Sequence, residues 1–180
     1  GFGVDHMECG VIASGAIMQY LEITQHTHIG HITALARIEE ERYVRLDNFT
    51  IRSLELTQSM QEGGSSLIDV IDRTATPMGA RMLSRWVRFP LRNAKDINKR
   101  LDAVEEFFKD TAFRQVIDEN LDVVGDLERI TAKVATGRVS AREVEKLKKA
   151  LRAMQPIKEA CARSENRALV ILSEKPDACK

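Results

Sequence analysis

Apolar residues recur at three- and four-residue steps along most of the chain, the period of an α-helix with one buried side, while strict alternation is almost absent. The clearest run starts at Thr76, whose hydroxyl can accept from the free N–H groups of a first turn, and Pro77 follows at the first helical position, where its missing donor costs nothing. Met78, Met82 and Trp86 then fall on one line and Leu83 and Val87 on the next, which predicts a helix with a broad apolar face. Pro90 ends it and draws Phe89 out of helical geometry. Asn93 opens the next helix with Asp96 in its first turn, where a carboxylate suits the dipole, and Ile97, Leu101, Val104 and Phe108 follow as a regular stripe. Two helices are expected to meet at a short corner fixed by Pro90.

Ahead of this corner, Val11, Ile12, Ala16, Tyr20 and Ile23 predict a helix from about Cys9 to Gln25, apolar round much of its circumference, as in a helix packed on a larger body. It is expected to dock on the core or on another copy. Tyr43 to Leu46 alternates briefly and suggests a strand, Asp47 suits the cap of a short helix bearing Ile51 and Leu54, and Gly63-Gly64 breaks the chain before Ser65 or Ser66 restarts it. Beyond the corner, Phe113, Val116, Ile117 and Leu121 mark one helix, Gly125 a boundary, and Leu127, Ile130 and Val134 another helix that closes near Gly137. Ser140 and Glu143 form a capping box, after which Val144, Leu147, Leu151, Met154, Ile157 and Cys161 make a seam. That seam spans barely three heptads, which favours packing within a bundle over a coiled coil.

Composition adjusts this picture of a mainly α, multi-helix bundle only slightly. With 27 basic and 27 acidic residues there is no overall field to drive nucleic-acid or membrane binding, so any contact with DNA falls to a local patch. No apolar run approaches the roughly 20 residues needed to cross a bilayer, and the first residues lack the plan of a signal peptide, so a cytosolic location is expected. Cys9, Cys161 and Cys179 are odd in number and lack C-x-x-C spacing, which argues for idle or buried thiols. His26, His28 and His31 invite a metal reading, but no fourth ligand is spaced to match, and solvated loop histidines are the preferred reading. Glu39-Glu40-Glu41-Arg42 reads as a solvated stretch.

No catalytic signature is present either. The chain lacks a G-x-x-x-x-G-K-[ST] phosphate loop, an H-E-x-x-H pair and a G-x-S-x-G elbow, so no enzyme activity and no bound cofactor are expected of it.

Thr76-Pro77-Met78-Gly79, then Arg81, Leu83, Trp86, Pro90 and Leu91, with Arg100 and Val104 further on, closely resemble the core (lever) domain of the MutS DNA mismatch-repair family. Leu46-Asp47 and Leu54-Glu55-Leu56 before this run, and Gly125-Asp126-Leu127-Glu128-Arg129 and Gly137-Arg138 after it, agree in order and spacing, so the likeness covers roughly residues 2 to 155. A departure at Ser53, where asparagine is usual, leaves the assignment unchanged. The resemblance implies that residues 1–41 are the end of an α/β connector domain with a linker, and residues 42–180 the first part of the helical core. It further implies a bacterial, cytoplasmic parent associated with the nucleoid by function, which binds mismatched double-stranded DNA, hydrolyses ATP with Mg, works with a MutL-type protein and forms a homodimer. The mismatch reader, the ATPase and the DNA clamp are expected outside this chain.

What the resemblance leaves to these residues is mechanical, a structural core that transmits between the ATPase and the clamp, with its joint at Thr76, Pro77, Gly79, Arg81, Trp86, Pro90 and Arg100. Plain readings stand beside it. Trp86 suits a core aromatic, Gly79 close helix packing, and Arg81 and Arg100 structural ion pairs with Asp69, Asp72 or Glu105. Lys146, Lys148, Lys149 and Arg152, with Lys133, Arg138 and Arg142 upstream, form a local basic concentration and are the candidates for DNA contact. Glu143, Glu145 and Asp126 interleave with them, which favours a solvated helix face. The alternative function is a self-standing helical module that binds a partner protein through the Cys9–Gln25 helix or the Val144–Cys161 seam. An autonomous DNA-binding domain is disfavoured by the neutral charge and the lack of a reading motif.

Overall fold

The computed structural model of the chain describes residues 7–24, 32 and 40–174. Its helix starts are set by side-chain oxygens that accept from free backbone N–H groups. Asp47 caps α2 (Asn48–Ser53), Ser66 caps α3 (Leu67–Ile71) and Thr76 caps α4 (Pro77–Arg88). Asn93 caps α5 (Ala94–Lys109), Asp110 caps α6 (Thr111–Val124), Asp126 caps α7 (Leu127–Ala135) and Ser140 caps α8 (Ala141–Ala162). Ser66 with Asp69, and Ser140 with Glu143, each form a reciprocal capping box. Two further helices flank this series, α1 (Glu8–Ile23) and α9 (Arg167–Glu174). The pattern reading had not anticipated α9.

Termination is local as well. Gly137, at φ +67, ends α7 with its N–H on the Val134 carbonyl at 3.0 Å while Arg138 N–H reaches Lys133 O at 2.9 Å, the paired bonds of a Schellman stop. Pro156 does not stop α8, which runs through it to Ala162.

The core lies in the second half. α6 packs along α8, which also meets α7 and α9, and α5 closes against α6 and α9. Phe113, Ile117, Cys161 and Leu169 form the buried cluster, with Phe107, Leu121, Ile157 and Ala160 packed round it. Burial pushes the Cys161 thiol pKa up, and the nearby Glu106 charge adds to this, so the thiol stays protonated; Cys9 is exposed.

Three expectations change. The stretch at Tyr43 makes no strand among the described residues but a single antiparallel bridge to Leu91. The α6 stripe of Phe113, Val116, Ile117 and Leu121 is covered as expected, but the faces of α5 and, in part, α8 differ from those the pattern picked. On α5 the partly covered line is Asp96, Arg100, Ala103 and Phe107, whereas Ile97, Leu101, Val104 and Phe108 are exposed, Phe108 to 80%. On α8, Leu147 and Ile157 of the seam are half-buried and Cys161 is buried, but Val144, Leu151 and Met154 are exposed and Ala150 and Ala153 take the buried positions between them. α1 buries no residue, so the expected docking on the core finds no support in its burial. No helix among the described residues is long and apolar enough to cross a membrane.

Candidate functional site

α4 is the element on which the candidate residues sit, and it buries none of its own side chains. Its start is tightly built. The buried Thr76 hydroxyl accepts from Gly79 N at 3.1 Å, and Thr74 is held by its hydroxyl on Asp72 at 2.7 Å. A Cβ on Gly79 would lie 3.2 Å from Thr74 Cβ and 3.3 Å from Thr76 Oγ1. Gly79 therefore serves the packing of its own cap, not the approach of another helix.

One turn on, Arg81 leaves α4 and grips the α6–α7 junction. Its Nη1 donates to Asp126 Oδ2 at 3.0 Å and its Nη2 to Asp126 Oδ1 at 2.7 Å. Its Nε and Nη2 also donate to Glu128 Oε2, at 3.1 and 2.7 Å. Asp126 simultaneously accepts from Arg129 N at 3.2 Å, so one carboxylate caps α7 and holds α4. The Arg81 guanidinium keeps the Asp126 carboxyl below its usual range, and the two carboxylates raise Arg81 in turn.

The expected partners of Arg81 are engaged elsewhere. Asp69 closes the Ser66 box, Asp72 holds Thr74, and Glu105 pairs with Lys109. The fork joins two of the sequence pieces that carry the family likeness, Thr76–Arg81 and Gly125–Arg129.

Trp86 is not a core aromatic. It is 42% exposed, with the Arg100 guanidinium 3.7 Å over its ring, a cation–π contact that ties α4 to α5. Arg100 thus meets a ring where an ion pair was expected. The corner is held by backbone and edge contacts, Val44 N–H donating to Pro90 O at 2.8 Å, Arg92 N–H to Arg42 O at 3.1 Å, and Tyr43 edge-on to Phe89. Arg42 and Asp96 add an ion pair at 3.6 Å, and Leu91 is buried beneath. Pro90 works through its carbonyl as well as through its ring.

Sequence reasoning missed Glu55 as a structural residue. At φ +50 it stands in the left-handed region, its carbonyl accepting from Leu67 N at 2.9 Å and its Oε1 from Met60 N at 2.6 Å. No pattern of types announces this; the only signal was its place in Leu54-Glu55-Leu56.

The basic set divides. Lys148 pairs with Glu145 at 3.0 Å, and Lys133 pairs with Glu143. Lys146 and Lys149 line a groove with Arg129 and Lys133, which Lys148 and Arg152 do not. The Lys133 ammonium first, then the Ser140 backbone and hydroxyl, lower Glu143 to about 2 from its ordinary 4.5. Stability from these bonds is complete above pH 4.5 and lost as pH falls from there toward about 2. Thermal melts over that window should show a falling midpoint, with a shallower fall for Glu143→Gln; parallel curves would refute the coupling.

His26, His28 and His31 lie outside the described residues. Among the described residues, no group of three or more His, Cys, Asp or Glu side chains is placed to hold a metal ion.

A family model described as MutS domain III matches residues 49–175. The chain belongs to the MutS family. Its relatives include the DNA mismatch repair protein MutS of Bacteroides thetaiotaomicron, 60% identical over 99% of this chain and 21% of that protein. The MutS of Porphyromonas gingivalis is 48% identical over all of this chain and 20% of its own length, and that of Flavobacterium psychrophilum 44% identical over 99% and 21%. The chain thus spans about a fifth of the length of these MutS relatives.

Proposed function

We propose that this part of a MutS-family protein transmits movement between a nucleotide-binding region and a DNA-holding region, with residues 1–41 as the end of the connector and residues 42–180 as the first part of the core. The observation that supports the reading is the contrast between the two halves. α5, α6, α8 and α9 share one apolar cluster, and packed interiors of this kind shift between discrete arrangements instead of bending smoothly. α4 instead adds no residue to that cluster or to the apolar side chains packed round it, and it is tied by the Arg81 fork and the Trp86–Arg100 stack, polar contacts that can exchange partners at little cost in apolar burial. Thr76, Pro77, Gly79 and Pro90 set the start and end of that arm. By the family resemblance, mismatched duplex DNA, ATP with Mg, a MutL-type protein and a second copy are the parent's ligands and partners.

The test is made in a full-length MutS-family protein carrying this sequence, with Arg81→Ala and, separately, Asp126→Asn. ATP-driven release from a mismatched duplex should slow at least several-fold while ATP hydrolysis in the absence of DNA and the circular dichroism spectrum stay as before. Unchanged release kinetics in both variants would defeat the reading.

A further inference from the structure

We infer that the groove between α7 and α8 is a binding site for the sugar-phosphate backbone of duplex DNA, held by Arg129, Lys146 and Lys149. The groove has a volume of about 450 Å³ and takes its walls from the two helices and its end from the turn at Gly125. Four cations line it, Arg129, Lys133, Lys146 and Lys149, against the two carboxylates of Asp126 and Glu143.

Both carboxylates are committed. Asp126 receives two bonds from Arg81 and one from Arg129 N–H, its charge also reaching the Arg129 guanidinium, and Glu143 holds Lys133 as well as the start of α8. Glu145, whose charge also reaches Lys149, holds Lys148. Arg129, Lys146 and Lys149 therefore stand at the groove with no ion pair or side-chain hydrogen bond of their own among the described residues.

Interleaved acids, which in the sequence argued for a merely solvated face, are turned to other cations in the fold. Lys148 and Arg152 drop out of the set and Arg129 joins it from a different helix. Three unpaired cations spread along an open groove suit successive phosphates, and each neutralised phosphate releases condensed counterions. No aromatic side chain lines the groove to stack a base, so the contact is with phosphate and sugar alone and is indifferent to sequence or mismatch. The site uses the Arg81 fork only to occupy Asp126 and asks nothing of Trp86 or of any movement of α4, so it can hold where the lever reading fails.

Fluorescence anisotropy of the 180-residue chain with a matched and a mismatched duplex, across a salt series, tests it. The unsubstituted chain should bind both duplexes alike at low salt and weaken as salt rises. The Arg129→Gln/Lys146→Gln/Lys149→Gln variant should lose most of that binding, and the slope of log K against log salt should shrink by about three, roughly one per phosphate contact. Lys148→Gln/Arg152→Gln should stay within about twofold of the unsubstituted chain. Lys146→Gln/Lys149→Gln, confined to exposed side chains, should remove about two from the slope and guards against a folding defect in the triple variant. Inorganic phosphate at matched ionic strength should fail to displace the duplex; displacement would make the groove a site for the free anion and overturn the backbone assignment. The inference also falls if the unsubstituted chain ignores DNA at low salt, if the triple variant matches it in affinity and slope, or if the mismatched duplex is preferred and the preference survives salt.

Discussion

Phe113→Ala should destabilise the chain by about 3–5 kcal/mol, the range for removing a buried aromatic and leaving a cavity. Phe113 is 8% exposed, its ring lies 4.8 Å from that of Phe107, and it shares a buried cluster with Ile117, Cys161 and Leu169. Its neighbours sit on four helices, α5, α6, α8 and α9, and cannot all collapse inward at once. For a domain whose whole stability is of the usual order, about 5–15 kcal/mol, such a loss is roughly a fifth or more of the total. Urea unfolding followed by circular dichroism gives the number directly. A change below about 1 kcal/mol would mean that this cluster is not the centre of the bundle.

The second large effect separates two readings of α8. The periodic seam puts Leu151 inside, whereas the structure buries Ala150, only 1% exposed, and leaves Leu151 at 37%. Ala150→Leu should therefore cost about 1–3 kcal/mol through overpacking on the buried side of α8, where its main neighbour is α6. Leu151→Ala should cost less than about 1 kcal/mol, because a side chain already more than a third exposed has less apolar surface to return to water. The opposite ranking in the same urea experiment would restore the seam read from the sequence and reject the observed rotation.

This pair shows where sequence patterns stop. The caps at Asp47, Ser66, Thr76, Asn93 and Ser140 were legible because each is a bond between residues two or three apart, decided before any tertiary packing. The Pro90 corner and the stops at Gly125 and Gly137 were legible for the same reason. Which side of a helix is covered is a different question, since the period fixes a spacing but its phase depends on neighbours. On α5 the apolar stripe is left open among the described residues and a line with Asp96 and Arg100 is covered; on α8 two alanines win over larger residues.

Ion-pair partners were still harder to read. Charges on exposed helices have many candidates within a few residues, and Arg81 found its own 45 and 47 residues away. At the candidate site, the residues to watch were therefore legible from the family likeness, while their contacts were not. Trp86 and Arg100 were each singled out, but nothing in their separation along the chain announces that one lies over the other. Arg129 entered the basic groove only when α7 was laid beside α8.

Trp86 is the chain's single tryptophan, and it stands at the α4–α5 corner beneath a guanidinium instead of in the Phe113 cluster. The protein thus carries a built-in optical gauge whose emission reports one joint. Loss of the Arg100 cover changes the water and charge around the indole, while events confined to the bundle's interior reach it only indirectly. Red-edge shifts and quencher access at this one ring can follow the corner in real time, with no label attached.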